Sequence, residues 1–254
     1  MCGALRGHLR RATPLAIYEK TLAPDHPELG ITLLALARLL MDQERDAEAE
    51  VLGLRALGIF EAKYGKVHRN VSATHVTLAR VQRQLGRLDE SQAHLDTAIA
   101  TAITIYGPEH TIVAAMIDAL AYVYLAKQDY PGALAEFRRS VAMYEKLDTT
   151  DPGMIEPLLG TGESLIALKR PADATAPLER ALAWSLAMVA TDVTYTPAYI
   201  ATIRWPVAQA LWAVGERPRA LKEARAAREA WAAAVKGYGE ELGAVMAWLA
   251  ERDR

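Results

Sequence analysis

The 254-residue chain has little of several residue types on which common functional sites depend. It contains one cysteine, Cys2, and only two phenylalanines. A single cysteine excludes an internal disulfide and a cysteine-rich zinc site, and it fits a reducing compartment. The longest nearly apolar stretch, residues 112–126, includes Asp118 and is too short to span a bilayer. Because no signal peptide is recognisable at the start either, we expect a cytoplasmic protein.

The chain also lacks an excess of charge of either sign. Its 29 Lys and Arg nearly balance 31 Asp and Glu, for a net charge of −2. Such a balance gives no general attraction to nucleic acid or to anionic membranes. Residues 101–200 hold 7 basic and 12 acidic side chains, which argues against a continuous nucleic-acid track. We therefore expect partners other than nucleic acid or membrane.

What the chain has in abundance is alanine and leucine, placed with a regular period. Histidines recur 42 residues apart in APDHPELG, YGKVHRNV and YGPEHTIV. Small residues recur in three registers at intervals of 42, 42, 41 and 46 residues. The first register is Ala37, Ala79, Ala121, Gly162 and Ala208; the second is Ala49, Ser91, Ala133, Ala174 and Ala220; the third is Ala56, Ala98, Ser140, Ala181 and Ala227. Small residues at fixed points let two antiparallel helices approach closely, so each period predicts a pair of helices, A and B.

The spacing resembles that of tetratricopeptide repeats, in the 42-residue form of the kinesin light chain type. The resemblance is carried by LALARLLMDQERDAEAEVLGLRALGIFEAKYG, by the connector YGPEH and by LIALKRPADATAPLERAL. The last stretch, with ARAAREAW and AVMAWLAER, is also similar to the carboxy-terminal repeat regions of myxobacterial-type serine/threonine protein kinases. The tetratricopeptide resemblance implies an all-α fold, a right-handed superhelical solenoid of about twelve helices.

The repeat register divides a single predicted solenoid of residues 1–254 into seven segments. These are a half repeat at 7–26, repeats at 27–68, 69–110, 111–151, 152–196 and 197–237, and a C-terminal capping helix at 238–254. The half repeat leaves an apolar stacking face uncovered, which predicts a stacking or dimer contact there. Prolines at 157, 177 and 206 fall within predicted helices and should kink them or move their starts.

Sequence signatures of catalysis are missing. There is no Gly-rich phosphate loop, no set of kinase motifs, no Gly-x-Ser-x-Gly and no His-Glu-x-x-His. We therefore predict a protein that is not an enzyme and that holds no cofactor or metal. Two alternatives stay open: the opening Met-Cys-Gly resembles amidotransferases with an amino-terminal nucleophile, and His68 and His75, seven residues apart, could share a helix face and a metal.

The resemblance implies that the A helices line a concave groove in which a peptide lies. The positions mapped to this groove are Arg38, Arg80, Arg83, Asp118, Tyr122, Glu163, Trp205, Gln209 and Trp212. Arginines can take a carboxylate in a fork, and tryptophans commonly anchor interfaces. The alternatives are that the arginines pair with carboxylates of neighbouring helices, and that the tryptophans pack against the capping helix.

The predicted function is a non-catalytic module that binds a peptide or protein partner in the concave groove, with acidic ligand residues on the arginines. An alternative is the C-terminal regulatory or sensor repeat region of a bacterial serine/threonine protein kinase whose catalytic domain is absent from this chain. A third is a helical enzyme or small-molecule receptor that uses the tryptophan end.

Overall fold

The computed structural model describes residues 14–147, 151–189, 192, 194–234 and 237–252, with side chains from residue 18 onward. Over these residues it contains twelve α-helices, one short 3-10 turn and no β-strand. The predicted all-α repeat fold is confirmed, as is the number of helices. Cys2 and residues 7–13 of the predicted half repeat lie outside the described part. None of the described helices is both long enough and apolar enough to cross a membrane.

The first of two compact units ends at Lys127, and its described part contains six helices. They are α1 (Pro14–Thr21), α2 (Pro27–Met41), α3 (Asp46–Tyr64), α4 (Arg69–Gln84), α5 (Leu88–Tyr106) and α6 (Thr111–Ala126). Helices α2 and α3 form one antiparallel hairpin and α4 and α5 the next, while α1 packs on α2 and α6 on α5. The A helices α2, α4 and α6 also contact one another in sequence.

The second unit starts at Gln128 and holds the other six helices. They are α7 (Tyr130–Lys146), α8 (Ile155–Ala167), α9 (Pro171–Met188), α10 (Pro197–Ala213), α11 (Arg217–Ala233) and α12 (Gly239–Arg252), with the 3-10 turn at Pro152–Met154. Helices α8 and α9 form a hairpin, as do α10 and α11, and α7 packs on α8. Helix α12 lies on α11, where Val245 and Leu249 join the cluster around Trp231.

Small residues are buried at the helix contacts in every repeat. The fourteen Ala and Ser residues of the three registers are each at most 1% exposed, and Gly162 is buried. At the α4–α5 contact the Ser91 hydroxyl donates to the carbonyl oxygen of Ala79 at 2.6 Å. A Cβ atom on Gly162 would lie 2.3 Å from Cγ of Leu178. These positions therefore set how closely helices A and B approach.

The turn between helices A and B repeats with the same period. One residue in each such turn has a left-handed backbone, with φ between 59° and 90°: Glu44, Gly86, Gln128, Lys169 and Gly215. Glycine adopts this conformation without a steric penalty, and three of the turns form without it. The turn geometry is thus kept even where the residue type changes.

The recurring histidines cap the A helices of the first unit. The Nδ1 atoms of His26, His68 and His110 accept hydrogen bonds from the second backbone N–H groups of α2, α4 and α6, at 3.1 to 3.2 Å. In the second unit, the Asp151 side chain accepts from the N–H of Gly153 in the 3-10 turn, and the Thr196 side chain accepts from the N–H of Tyr199, the third residue of α10. These acceptors satisfy donors that a helix start otherwise leaves without a partner.

The three prolines affect their helices in two ways. Pro157 is the third residue of α8, which begins directly after the 3-10 turn, so it lies in the first helical turn, where its missing donor costs little. Pro177 and Pro206 lie inside α9 and α10, and both helices continue past them. Of the two predicted effects, a kink or a moved helix start, the moved start describes Pro157.

A pair of histidines joins α4 to α5. The Nδ1 atoms of His75 and His94 lie 2.6 Å apart, so one ring donates and the other accepts. His68, in contrast, caps α4 and stacks on Tyr64 with ring centroids 4.0 Å apart. The described residues contain no group of three or more His, Cys, Asp or Glu arranged to hold a metal ion. The alternative of a shared His68–His75 metal site therefore has no geometric support.

Replacing Ala79 by leucine should destabilise the first unit. The added side chain has no room at a position that is 1% exposed, so the free energy of unfolding should fall by about 1–3 kcal/mol. Ala100→Leu, on the exposed side of α5, is the matched control and should change little. Equal urea unfolding midpoints for Ala79→Leu and the parent would contradict the assigned register.

The histidine pair should make the protein less stable in mild acid. Burial, followed by the charge of His94, lowers the pKa of His75 from 6.5 to about 4, and burial also lowers the pKa of His94. Between these pH values the unfolded chain binds more protons at this pair than the folded one, so the contribution of the pair to the free energy of unfolding falls as the pH falls. For His75 the loss from pH 6.5 to 5 is at most about 2 kcal/mol before solvent screening is discounted.

Urea unfolding from pH 8 to 5 measures this loss. As the pH falls, the double variant His75→Gln/His94→Gln should lose less stability than the parent, and the variant His26→Gln, at a half-buried capping position, should keep the pH dependence of the parent. The same pH dependence in the parent and the double variant would show that this pair does not titrate as described.

Candidate functional site

The A helices of the first unit present three arginines. Arg38 on α2 and Arg80 on α4 are exposed and occupy equivalent repeat positions, and Arg83 lies one turn beyond Arg80 and is half-buried. The Nε atom of Arg38 donates to the hydroxyl of Thr77 on α4 at 3.4 Å. The three side chains therefore belong to one face, made by neighbouring A helices, which we call the arginine face.

None of the three arginines lies in an ion pair within the described residues. Other arginines of the same unit do: Arg45 pairs with Glu48, Arg55 with Glu19 and Arg87 with Glu50, at 2.5 to 2.7 Å. The alternative that the groove arginines are neutralised by neighbouring helices thus finds no support among the described contacts. The arginine face keeps positive charge available to a ligand.

The local electrostatics favour an anion at this face. Burial, and then the charge of Arg80, lowers the pKa of Arg83, while Tyr122 on α6 opposes this shift. The shift reports that the charged form of Arg83 lacks compensation. A carboxylate placed between these arginines would supply that compensation through charge-assisted hydrogen bonds.

The two α6 residues predicted for the groove differ in exposure. Asp118 is buried, with 7% of its surface exposed, so it offers little surface to a ligand. Tyr122 is half-buried and close enough to affect Arg83. The carboxylate predicted for this part of the groove is therefore a core residue.

In the second unit, an open cleft of about 410 Å³ collects three of the predicted residues. Glu163, Trp205 and Gln209 line it from α8 and α10. Its other lining residues are Ile166, Ala167, Thr202, Pro206, Trp231 and Glu241. We call it the tryptophan cleft.

Trp212 does not line this cleft. Its ring packs edge-on against Trp248 of α12, with centroids 5.2 Å apart, and the guanidinium groups of Arg217 and Arg252 lie over it. The ring of Trp205 also packs edge-on against Trp248, with ring centroids 5.6 Å apart. The alternative that the tryptophans pack against the capping helix describes Trp212, whereas Trp205 both packs there and lines the cleft.

Glu163 is the electrostatically distinctive residue of the tryptophan cleft. It is half-buried and makes no hydrogen bond or ion pair within the described residues. Burial, and then the charge of Glu156, raises its pKa from 4.5 to about 7. Glu156 itself accepts a hydrogen bond from the hydroxyl of Tyr199 at 2.5 Å. The cleft thus holds a carboxyl group that has no cationic partner.

Sequence reasoning missed several residues of the cleft. Thr202 lies one helical turn before Pro206 on α10. It would have been found if the mapped groove positions had included the residue six places before each small residue of helix A. Trp231 lies on a B helix and Glu241 on the capping helix, which have no equivalents among the mapped A-helix positions. No repeat-based signal could have placed them there.

Comparison with known proteins supports the repeat assignment. Residues 31–70 and 70–146 match models of the tetratricopeptide repeat, so the chain contains such repeats in this range. No curated protein matches the chain.

Several solved structures share the fold. A putative kinesin light chain with nearly identical TPR-like repeats from Podosopora anserina is 21% identical, covers 84% of this chain and 99% of its own, and has a TM-score of 0.63. BtubC (BKLC) from P. vanneervenii is 19% identical, with 82% and 81% covered and a TM-score of 0.66. Pseudomonas aeruginosa pilF is 15% identical, with 89% and 86% covered and a TM-score of 0.60. At these identities the likeness concerns the fold alone, and the similarity to kinase repeat regions stays a prediction.

Replacing Glu163 by glutamine should change how stability depends on pH. The folded carboxyl keeps its proton up to about pH 7 and the unfolded one only to 4.5, so the folded state binds more protons between these values. The contribution of Glu163 to the free energy of unfolding should therefore fall as the pH rises from 4.5 to 7, by at most about 3 kcal/mol before the residual solvent exposure is discounted, whereas the contribution of the histidine pair rises with pH.

The free energy of unfolding of the parent minus that of Glu163→Gln should therefore decrease as the pH rises, whereas the same difference for Glu240→Gln, which changes an exposed residue of α12, should stay constant. Glu156, Tyr199 and Glu241 remain as titratable groups nearby in both variants. Urea unfolding at pH 5, 6, 7 and 8 makes the comparison. The same pH dependence of the free energy of unfolding in Glu163→Gln and the parent would contradict the assignment.

Proposed function

We propose that this protein is a non-catalytic interaction module whose A helices bind an acidic segment of a peptide or protein partner. Tetratricopeptide repeats generally act as protein–protein interaction modules, and residues 31–146 match them. The observation that carries the proposal is the arginine face: Arg38, Arg80 and Arg83 lie on neighbouring A helices without ion pairs among the described residues.

The spacing of the arginines indicates an extended or helical ligand. Arg38 and Arg80 are equivalent residues of A helices that contact each other, so they form successive steps of a ladder. Arg83 adds a third cation one turn further along α4. A ligand with two or three carboxylates in succession would pair with all three and offset their mutual repulsion.

The other groove residues enter the proposal as secondary contacts. Tyr122 borders Arg83 in the first unit, and Glu163, Trp205 and Gln209 line the tryptophan cleft in the second. Asp118 is buried and Trp212 packs against Trp248 of α12, so both support these surfaces from beneath.

Charge reversal at Arg80 tests the proposal. On a peptide array in which each acidic 12-mer is paired with its Asn/Gln counterpart, the parent should retain the acidic member. Arg80→Glu should weaken that binding by about 10-fold or more, since charge-assisted hydrogen bonds contribute about 1.5–3 kcal/mol. Binding to the parent should also weaken with added salt, because an open face is screened.

Lys63→Glu is the matched control. It makes the same change of charge at an exposed position of the B helix α3 and should leave acidic-peptide binding nearly unchanged. Equal retention of acidic peptides by the parent and Arg80→Glu, or equal losses in both variants, would refute binding at the arginine face.

A further inference from the structure

The tryptophan cleft has a chemistry opposite to that of the arginine face. Its two titratable lining residues, Glu163 on α8 and Glu241 on α12, are both carboxylic acids. Among the described residues, no cation lines it. Glu163 is half-buried and makes no hydrogen bond or ion pair within the described part of the chain. A carboxyl group withdrawn from water is costly unless a partner satisfies it, so the described residues leave this cleft without the cation that would do so.

The apolar walls of the cleft limit which kind of cation can bind there. Trp205 and Trp231 supply indole rings, and Gln209 and Thr202 supply neutral polar groups. The Trp231 indole nitrogen already donates to the carbonyl oxygen of Ala198 at 3.1 Å, which fixes that ring. A flat cation that can lie on an indole and also donate several hydrogen bonds fits these walls better than a compact, strongly hydrated ammonium.

The same unit shows this pairing within its own structure. The guanidinium carbon of Arg252 lies 4.8 Å from the ring centroid of Trp248, and that of Arg217 lies 5.3 Å from that of Trp212. Arginine on tryptophan is therefore a contact that α10 and α12 already support beside the cleft. The cleft differs in having the indole and the carboxyls without the arginine.

From these features we infer that the tryptophan cleft binds a guanidinium group, with the carboxylates of Glu163 and Glu241 as acceptors and Trp205 as the apolar wall. The inference rests on the proposed function only in treating α8 and α10 as ligand-binding A helices. Its ligand and its residues differ from those of the arginine face, so the two can fail separately. The guanidinium could belong to an arginine side chain of a protein partner or to a free small molecule.

Binding is measured by nuclear magnetic resonance titration of the uniformly ¹⁵N-labelled full chain, with the Trp205 indole signal assigned through Trp205→Phe. The probes are the peptide Ac-Ala-Arg-Ala-NH2, its citrulline counterpart and n-butylguanidine. The arginine peptide should shift the Trp205 signal in a saturable manner, whereas the citrulline peptide, which has nearly the same shape and no charge, should bind at least about 10-fold more weakly.

The two sources are separated by comparing affinities. Tighter binding of the arginine peptide than of n-butylguanidine indicates a protein partner, and equal or tighter binding of n-butylguanidine indicates a small molecule; either supports a guanidinium site. Equal binding of the arginine and citrulline peptides, or no shift of the Trp205 signal with any guanidinium probe, overturns the inference.

Variants connect binding to the carboxyl groups. Glu163→Gln should weaken arginine-peptide binding by about 10-fold, while Glu240→Gln, which removes a charge beside Glu241 without lining the cleft, should change it less than 2-fold. Unchanged affinity in Glu163→Gln overturns the inference. If Glu163→Gln does not fold, Glu241→Gln replaces it, and the peptide comparison on the parent protein decides by itself.

Discussion

The close approach of helices A and B at small residues is the constraint on which the rest of the structure depends. At the α4–α5 contact the Ser91 hydroxyl reaches the Ala79 carbonyl, and at the α8–α9 contact Gly162 leaves no room for a Cβ atom beside Leu178. Because the same contact recurs with the repeat period, each A helix lies beside the next within a unit, and equivalent residues become neighbours on one face. The arginine face is a direct result of this arrangement.

The sequence was sufficient to predict the features that repeat. Periodic Ala, Ser and Gly gave the helix hairpins and their register, and the histidines of the connectors gave the helix starts. These signals are strong because close packing admits only small residues and because a helix start needs a hydrogen-bond acceptor. The arginines at positions 38 and 80 were found for the same reason, since they occupy equivalent places.

Features outside the repeat register could not be predicted in this way. The contact between His75 and His94 depends on side-chain directions across two helices. The tryptophan cleft combines residues of A helices with Trp231 from a B helix and Glu241 from the capping helix, so no single period relates them. Asp118 was mapped to the groove by register alone, although its burial follows from the packing of α6.

The two units offer ligands opposite charges. In the first, neighbouring arginines repel one another, and an anion would relieve that repulsion. In the second, burial and the charge of Glu156 raise the pKa of Glu163, which has no cationic partner among the described residues. Both surfaces are built on A helices, and both hold groups whose charge the described chain leaves uncompensated, which is a physical reason to bind a partner.

The most direct test of the central claim, that partners bind on the A helices, is to map where an acidic peptide retained by the protein contacts the chain. Backbone amide shifts of the ¹⁵N-labelled protein, recorded with and without that peptide, report this residue by residue. The account predicts that the largest changes cluster on α2 and α4 around Arg38, Arg80 and Arg83. Changes concentrated on the exposed sides of the B helices α3 and α5, with those A-helix positions unaffected, would contradict it.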